Sequence, residues 1–458
     1  MASEKRNDFT KGVVWKVIIR MAIPMALAQL VNVLYSVVDR MYIGHIADVG
    51  SAALSGMGLC MPIIAVISAF SNMCGMGGGP LCSIARGEGR LDYAEKIMAN
   101  AFTLLLSFGL VLTVLSLCFL EPMLYLFGAS EATYPYAAAY ARIYVLGTLF
   151  VMISLGMNSF INAQGFARVG MGTVVIGAAV NFVLDPLFIF VFDMGIEGAA
   201  VATVLAQGCS AAWALKFLMG KKAILRFLPK NMILEWAIVK RILSLGITGF
   251  VMSATNSLVQ IASNTMLLAY GGDLYIGAMT VVNSIREVVF MIVHGLTNGA
   301  QPVLGYNYGA KAYSRVRSGI RFLTFGVTVY SLLVFAVMML VPRTLAQVFT
   351  SDAAMLDICE SAVRIYFCGF VLMSLQMAGQ CTFLGLGKSR QAVCFSLLRK
   401  VVVVVPLVLL LPGWGFGVNG VFWAEPISDL IGGVACFVTM YFTVYQKLKR
   451  PDEHLATA

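Results

Sequence analysis

Charge is scarce in this 458-residue chain: 12% of its residues are Asp, Glu, Lys or Arg, while 60% are hydrophobic and the mean hydropathy is +0.87. An ordinary soluble domain carries about 25% charged residues, so this balance excludes one and calls for lipid as solvent. Histidine is scarcer still, with only His45, His294 and His454, and none of the ten cysteines forms a C-x-x-C pair. Those absences leave little support for a zinc or thiol-redox centre. The cysteines read instead as small buried apolar residues. No nucleophile with acid and base stands in the apolar runs, so neither an enzyme nor a cofactor is expected. Outside short loops there is no basic stripe interleaved with aromatics, so the net charge of +10 requires no nucleic-acid partner.

What is present is apolar length. A span needs about 20 apolar residues to cross a hydrocarbon core of about 30 Å. Twelve runs meet that requirement: 14 to 38, 51 to 78, 94 to 119, 134 to 158, 170 to 192, 196 to 219, 238 to 268, 274 to 303, 316 to 341, 358 to 384, 391 to 411 and 417 to 445. The first is too long for a cleavable signal and lacks a small-residue cleavage site, so it reads as a retained span. Lys and Arg gather at the start (Lys5, Arg6, Lys11, Lys16, Arg20) and in alternate connections (Arg86, Arg90, Arg168, Lys221, Lys222, Lys311, Arg315, Lys388, Arg390). The other connections carry mainly acids, such as Asp48, Glu131, Asp193, Glu197 and Asp352. By the positive-inside rule both termini are cytoplasmic in a multi-pass protein of the plasma membrane.

The halves repeat at a constant offset of 222 residues: Pro80 with Pro302, Arg142 with Arg364, Tyr144 with Tyr366, Gly147 with Gly369, Gly165 with Gly387, Gly195 with Gly417 and Gly198 with Gly420. Six spans per repeat is even, so the halves are parallel repeats about an axis along the membrane normal. The expected fold is all-α: an N-lobe over 1–219, a basic linker over 220–236 and a C-lobe over 237–458, around a central cleft. That is transporter architecture, working as a monomer.

Polar residues inside the spans then point to function, because a carboxylate on a membrane helix costs roughly 2.5 to 3.5 kcal/mol on insertion scales. Gln29, Asn32, Ser36 and Asp39 share one face of the first span; Asn181 and Asp185 share a face of the fifth and precede Pro186. That proline removes the donor due to the carbonyl of Phe182. Thr203 and Gln207 in the sixth span and Asn158 in the fourth complete a candidate oxygen cage for a monovalent cation or a proton. Asn32, Ser36, Asn158 and Gln207, with Asn256, Gln260, Gln376 and Gln380 of the second half, are the candidate substrate-facing residues. No acid stands at the repeat positions of the two aspartates, where Ile261 and Leu407 occur. Arg286 and Glu287, adjacent in the eighth span, point about 100° apart, so Arg286 is expected to lock onto another helix, with a substrate or gating role as the alternative. Glu425 and Asp429 beside Pro426 are either a second proton site or hydrogen-bonded interior groups.

At these residues the chain resembles the multidrug and toxic compound extrusion family over nearly its whole length. The run from Pro24 through Asp39 into Arg40-Met-Tyr-Ile-Gly44, the segment Asn181-Phe-Val-Leu-Asp185-Pro186 and Thr203 in Gly198-Ala-Ala-Val-Ala-Thr203 carry the likeness. Gln301-Pro302-Val-Leu-Gly305-Tyr306-Asn307-Tyr308-Gly309 is similar to the MepA-like branch. The resemblance implies export of cationic, amphipathic drugs in exchange for Na⁺ or H⁺, with Asp39 essential and Asn181, Asp185 and Thr203 completing the ion site. Some members carry a Glu in the seventh span and an Asp in the tenth; this chain does not. Pro24 and Pro186, with Arg286 and Glu287, are the expected conformational residues. The alternative is a flippase for lipid-linked oligosaccharide or peptidoglycan precursors, whose pyrophosphate calls for several Arg or Lys, whereas the spans here are read as offering essentially Arg286. A non-transporting receptor is disfavoured by the repeat and the carboxylates.

Overall fold

In the computed structural model, residues 8–44, 46, 50–131, 133–350 and 352–449 are described. Lys5, Arg6, His45, Asp48 and His454 lie outside that set. Among the described residues every regular element is helical. Of the helices among the described residues, ten are long and apolar enough to cross a membrane, or twelve with each of two bent pairs taken as one span. The first three spans are Val14–Gly44, Gly50–Gly87 and Leu91–Cys118; the fourth is the bent pair Tyr134–Leu146 and Thr148–Ala163. The fifth, Ala167–Pro186, runs on as a π-helical turn over Leu187–Val191, and the sixth is Gly195–Leu218. Trp236–Gly271, Asp273–Gly309 and Tyr313–Leu340 are the seventh to ninth, and the pair Ala353–Phe367 with Phe370–Gly385 is the tenth. Ser389–Trp414 and Asn419–Tyr445 finish the series, each interrupted by π-helical stretches. Large apolar side chains such as Leu110, Val111, Val114 and Leu115 stand on exposed faces, as lipid contact demands of a span.

The repeat read from sequence has a conformational cause at several glycines. Gly165 and Gly387 both take positive φ (87° and 72°), as do Gly195 and Gly417 (both 55°), where a Cβ would be strained. Gly147 and Gly369 sit at the breaks of the two bent pairs, which turn by 55° and 48°. A Cβ at Gly147 would fall 2.5 Å from Val204, and one at Gly369 would fall 2.6 Å from Pro426, again 222 residues on. Glycine thus makes room for the Val204 side chain at the first bend and for the Pro426 backbone at the second.

The chain forms two compact units: Ile23–Gly249 is one, and Phe9–Ala22 with the chain from Phe250 onward is the other. This division differs from the sequence boundaries at both helix starts, for packing reasons. Within the first unit, the beginning of the seventh span lies backbone to backbone on the second: a Cβ at Gly77 would sit 2.1 Å from the Ile242 carbonyl oxygen, and one at Gly246 only 1.9 Å from that of Met73. Within the second unit, Gly299 admits the first span at Ala22, where a Cβ would meet backbone at 2.6 Å. Asn307 Nδ2 and Arg315 Nη2 donate to the Phe9 carbonyl at 3.1 and 2.9 Å, and Arg315 Nη1 to that of Gly12 at 2.9 Å, fixing the chain that leads into the first span.

The linker is held to the first unit by side chains that satisfy its backbone. Gln164 Oε1 accepts from the amides of Ile224 and Leu225, Glu95 Oε1 from that of Arg226, and Asn100 Oδ1 from that of Glu235. Gly246→Val is expected to destabilise the first unit severely, since backbone cannot yield to a branched side chain. The unfolding midpoint of the detergent-purified protein reads this. Gly58→Ala, where a Cβ meets nothing within 4 Å, is the control and leaves the midpoint unchanged.

Candidate functional site

The first span carries Asp39 into the interior of the first unit, where it meets Asp185 of the fifth span. Both side chains are buried, as are Asn181 and Thr203, with exposures of 0 to 4%. Asn181 Nδ2 donates to Asp185 Oδ1 (3.0 Å) and reaches Thr203 Oγ1 (3.4 Å), tying the fifth span to the sixth. The two carboxyl groups lie within hydrogen-bond reach of each other, yet Oδ1 of Asp39 and Oδ2 of Asp185 have no protein donor among the described residues. Carboxylates offer only acceptors. Two brought this close without donors repel unless a proton or a cation stands between them.

Three tyrosines surround the pair, and sequence reasoning missed all of them. Tyr35 is hydrogen-bonded to Thr203 and faces Asp39 one helical turn along the first span. Tyr140 and Tyr144, stacked with centroids 6.0 Å apart on the fourth span, face Asp39 from another side. The i, i+4 relation of Tyr35 to Asp39 was available as a signal; the approach of the fourth span was not, being a tertiary fact.

Beside this site lies a cavity of about 50 Å³ lined by Asn32, Tyr35, Ser154, Asn158 and Gln207. A water occupies about 30 Å³ of liquid, so polar walls of this size suit water rather than a drug. Ser154 Oγ donates to Gln207 Oε1 at 2.7 Å, and Asn158 Nδ2 to the Gly170 carbonyl at 3.3 Å. Tyr35 belongs to both the cavity wall and the carboxyl site. Ser36, next to it, makes no hydrogen bond among the described residues and lines neither. Pro186 ends the regular part of the fifth span just past Asp185, and Pro24 is buried inside the first span without interrupting it.

In the second unit the proposed substrate-facing residues separate. Asn256 and Gln260 line a cavity of about 110 Å³. Gln380 instead donates to the Ala392 carbonyl at 3.1 Å, the repeat equivalent of the Asn158 bond to Gly170, and Gln376 is buried with its Oε1 lacking a donor. Neither lines the cavity. Arg286 is hydrogen-bonded to Tyr366 of the tenth span and lies 6.0 Å from the Phe290 ring, whereas Glu287 is exposed on its helix.

The reading that the spans offer essentially Arg286 needs correction. Arg399 and Lys400 are buried in the eleventh span, hidden in sequence by the valines that follow them. Arg399 Nη2 binds Glu425 Oε2 at 2.6 Å, and Lys400 Nζ binds Glu425 Oε1 at 2.7 Å. Asp429 Oδ1 lies 2.9 Å from the same Arg399 nitrogen but off the hydrogen-bond direction, so that contact is an ion pair. Glu425 and Asp429 are therefore engaged by cations. Among the described residues no group of three or more His, Cys, Asp or Glu is placed to hold a metal.

Similar proteins agree with this architecture. The MatE family model matches residues 24–187 and again 249–410, one stretch in each half and together well over half of the chain. The multidrug export protein MepA of Staphylococcus haemolyticus (strain JCSC1435) is 24% identical over 452 residues, covering 98% of this chain and 97% of its own. That of Staphylococcus aureus (strain NCTC 8325 / PS 47) is 23% identical over 443 residues, 96% of each chain. A solved multidrug resistance MATE family transporter of the MOP superfamily, in an outward-facing conformation, superposes with a TM-score of 0.90 at 22% identity, covering 97% of this chain and 98% of its own. With two copies of its family's sequence pattern in one chain and the family's fold from end to end, this multi-pass membrane protein belongs to the MatE family.

Proposed function

We propose that this chain is a secondary active exporter of cationic, amphipathic compounds, exchanging them for H⁺ or Na⁺ by alternating access. It works as a monomer in the plasma membrane with both termini in the cytoplasm, the arrangement its Lys and Arg distribution favours. Full-length relatives named as multidrug export proteins support the export reading. The observation that carries the coupling is the buried pair Asp39 and Asp185, each with a carboxylate oxygen lacking a donor. The carboxylates of Asp39 and Asp185, the carboxamide of Asn181 and the hydroxyls of Thr203 and Tyr35 are hard oxygen donors suited to Na⁺; the carboxyl pair alone suffices for a proton.

Asp39 and Asp185 alternate between holding the coupling cation and permitting drug binding. Exchange of one coupling cation for one singly charged drug moves no net charge, so the cation's concentration gradient drives export, each tenfold of it supplying about 1.4 kcal/mol and sustaining a tenfold drug ratio. Pro24 gives the first span a point of weakness, because the carbonyl of Arg20 lacks its helical donor there. It lies two residues past Ala22, where the span passes from one compact unit to the other. Pyrophosphate-bearing cargo is disfavoured because Arg399 and Lys400 are already bound by Glu425 and Asp429.

Purified protein in liposomes loaded with a fluorescent cationic dye tests the reading. An imposed inward gradient of Na⁺ or of protons is expected to speed loss of the loaded dye well beyond its rate without a gradient. Dye movement under neither gradient would count against antiport.

A further inference from the structure

Among the described residues the second unit buries Arg399 and Lys400 with Glu425 and Asp429, and a third cation, Arg286, stands half-buried beside them. Arg286, Arg399 and Lys400 face only Glu425 and Asp429, and both oxygens of Glu425 are taken by Arg399 and Lys400. The surplus falls on Arg286. Among the described residues it has no carboxylate at ion-pair distance; its neighbours are the Tyr366 hydroxyl and the Phe290 ring, with Glu425 facing it from further off. A guanidinium does not shed its proton, and a charge at membrane depth is costly unless it is paired or hydrated.

Arg286 opens onto the cavity of about 110 Å³, whose other polar walls include Asn256, Gln260, Asn264, Asn283 and Lys400, and also Glu425, whose two carboxylate oxygens Arg399 and Lys400 already hold. Carboxamides bring N–H donors to whatever the guanidinium attracts. The space is roughly that of three or four waters, enough for a carboxylate group and too small for a drug-sized molecule. The duplication places this chemistry opposite to that of the first unit. Glu425 stands at the repeat position of Thr203, Asp429 at that of Gln207, and Arg399 and Lys400 at those of Gly177 and Ala178. Arg399, Lys400 and Asp429 also lie on π-helical stretches, a rare geometry frequently found at functional sites. A Cβ at Gly432 would fall 3.0 Å from the Arg399 stem, so glycine there makes the room that Arg399 occupies.

We propose that this cavity binds the carboxylate of a small organic anion, with Arg286 as its counter-charge and the surrounding carboxamides as its hydrogen-bond donors. That the bound anion is cargo rests on the exporter reading above and widens its substrate class to carboxylate-bearing compounds; the binding itself does not depend on it.

The full chain in lipid nanodiscs, kept at constant ionic strength with a bulky sulfonate, is titrated with acetate while its unfolding midpoint is followed by intrinsic fluorescence. Acetate is expected to raise the midpoint saturably, and acetamide, its neutral isostere, to leave it unchanged. Arg286→Gln weakens acetate binding about 100-fold or more, the scale of removing one partner of a buried charge pair, while Arg286→Lys retains part of it. Asn264→Leu, which leaves every charge in place, weakens it about tenfold and decides the matter should Arg286→Gln fail to fold. The proposal is overturned if acetate and acetamide act alike, if chloride shifts the midpoint and acetate does not, or if the Asn264 and Arg286 variants respond as the native chain does. Failure of gradient-driven dye export would sink the exporter reading and leave this shift in place; absence of the shift sinks the anion site and leaves dye export in place.

Discussion

Asp39→Asn is expected to lower gradient-driven dye export at least about 100-fold while leaving the protein folded. The substitution keeps the side chain's volume and gives Asp185 a donor where it now meets a second carboxyl, so the buried repulsion disappears and stability is unchanged or higher. What is lost is the ability of the pair to hold one cation and release it. Asp185→Asn has the same consequence by the same route, and the double variant is expected to be no slower than either single one, because the two carboxyls act as a unit. Initial export rates in proteoliposomes of matched protein content measure this. Full ion-coupled export by Asp39→Asn would remove the pair from the mechanism.

Glu425→Gln carries the largest expected cost in stability. One carboxylate neutralises two buried cations, Arg399 and Lys400, at 2.6 and 2.7 Å, and all three side chains are no more than 10% exposed. Removing it leaves both with Asp429 alone. Breaking a buried pair by deleting one partner costs about 3 to 5 kcal/mol, a large part of the 5 to 15 kcal/mol that holds a typical domain together. Adding Lys400→Met to Glu425→Gln is expected to recover much of the loss, since it removes the charge left unpaired. Unfolding midpoints of the three proteins check this, and a single variant as stable as the native chain would show that the cluster is hydrated rather than buried.

Much of the fold was legible because membrane spans announce themselves by length and because a duplication leaves its mark at glycines. Gly165 with Gly387 and Gly195 with Gly417 recur in sequence since each pair needs the same positive φ. The repeat also accounts for an oddity that composition could not show: Lys311 takes positive φ (56°) at the position matching Gly89 (77°). The carboxyl pair was legible in part. Asn181 and Asp185 follow from helical spacing, but the meeting of Asp39 with Asp185, and of Tyr35 with Thr203, depends on how the first span packs on the fifth and sixth.

The second unit was read less well. A hydropathy window averages Arg399 and Lys400 away against the run from Val401 to Leu411, and their partner lies 25 residues and more along the chain on another helix. Spacing within one helix cannot reveal a pair between two. Gln376 and Gln380 were expected to face substrate because they are polar and intramembrane; Gln380 instead satisfies a backbone carbonyl, the other ordinary use of a buried carboxamide.

In the proposed cycle drug and coupling cation exclude one another at Asp39 and Asp185. Its most direct test is the exchange of cation on drug binding, measured with purified protein in a weakly buffered, sodium-controlled solution titrated with a cationic dye. Each dye bound is expected to release one proton, or dye affinity to fall with rising Na⁺ along a one-ion linkage, and Asp39→Asn to abolish whichever linkage is found. Dye binding linked to neither cation, or a linkage that survives intact in Asp39→Asn, would contradict it.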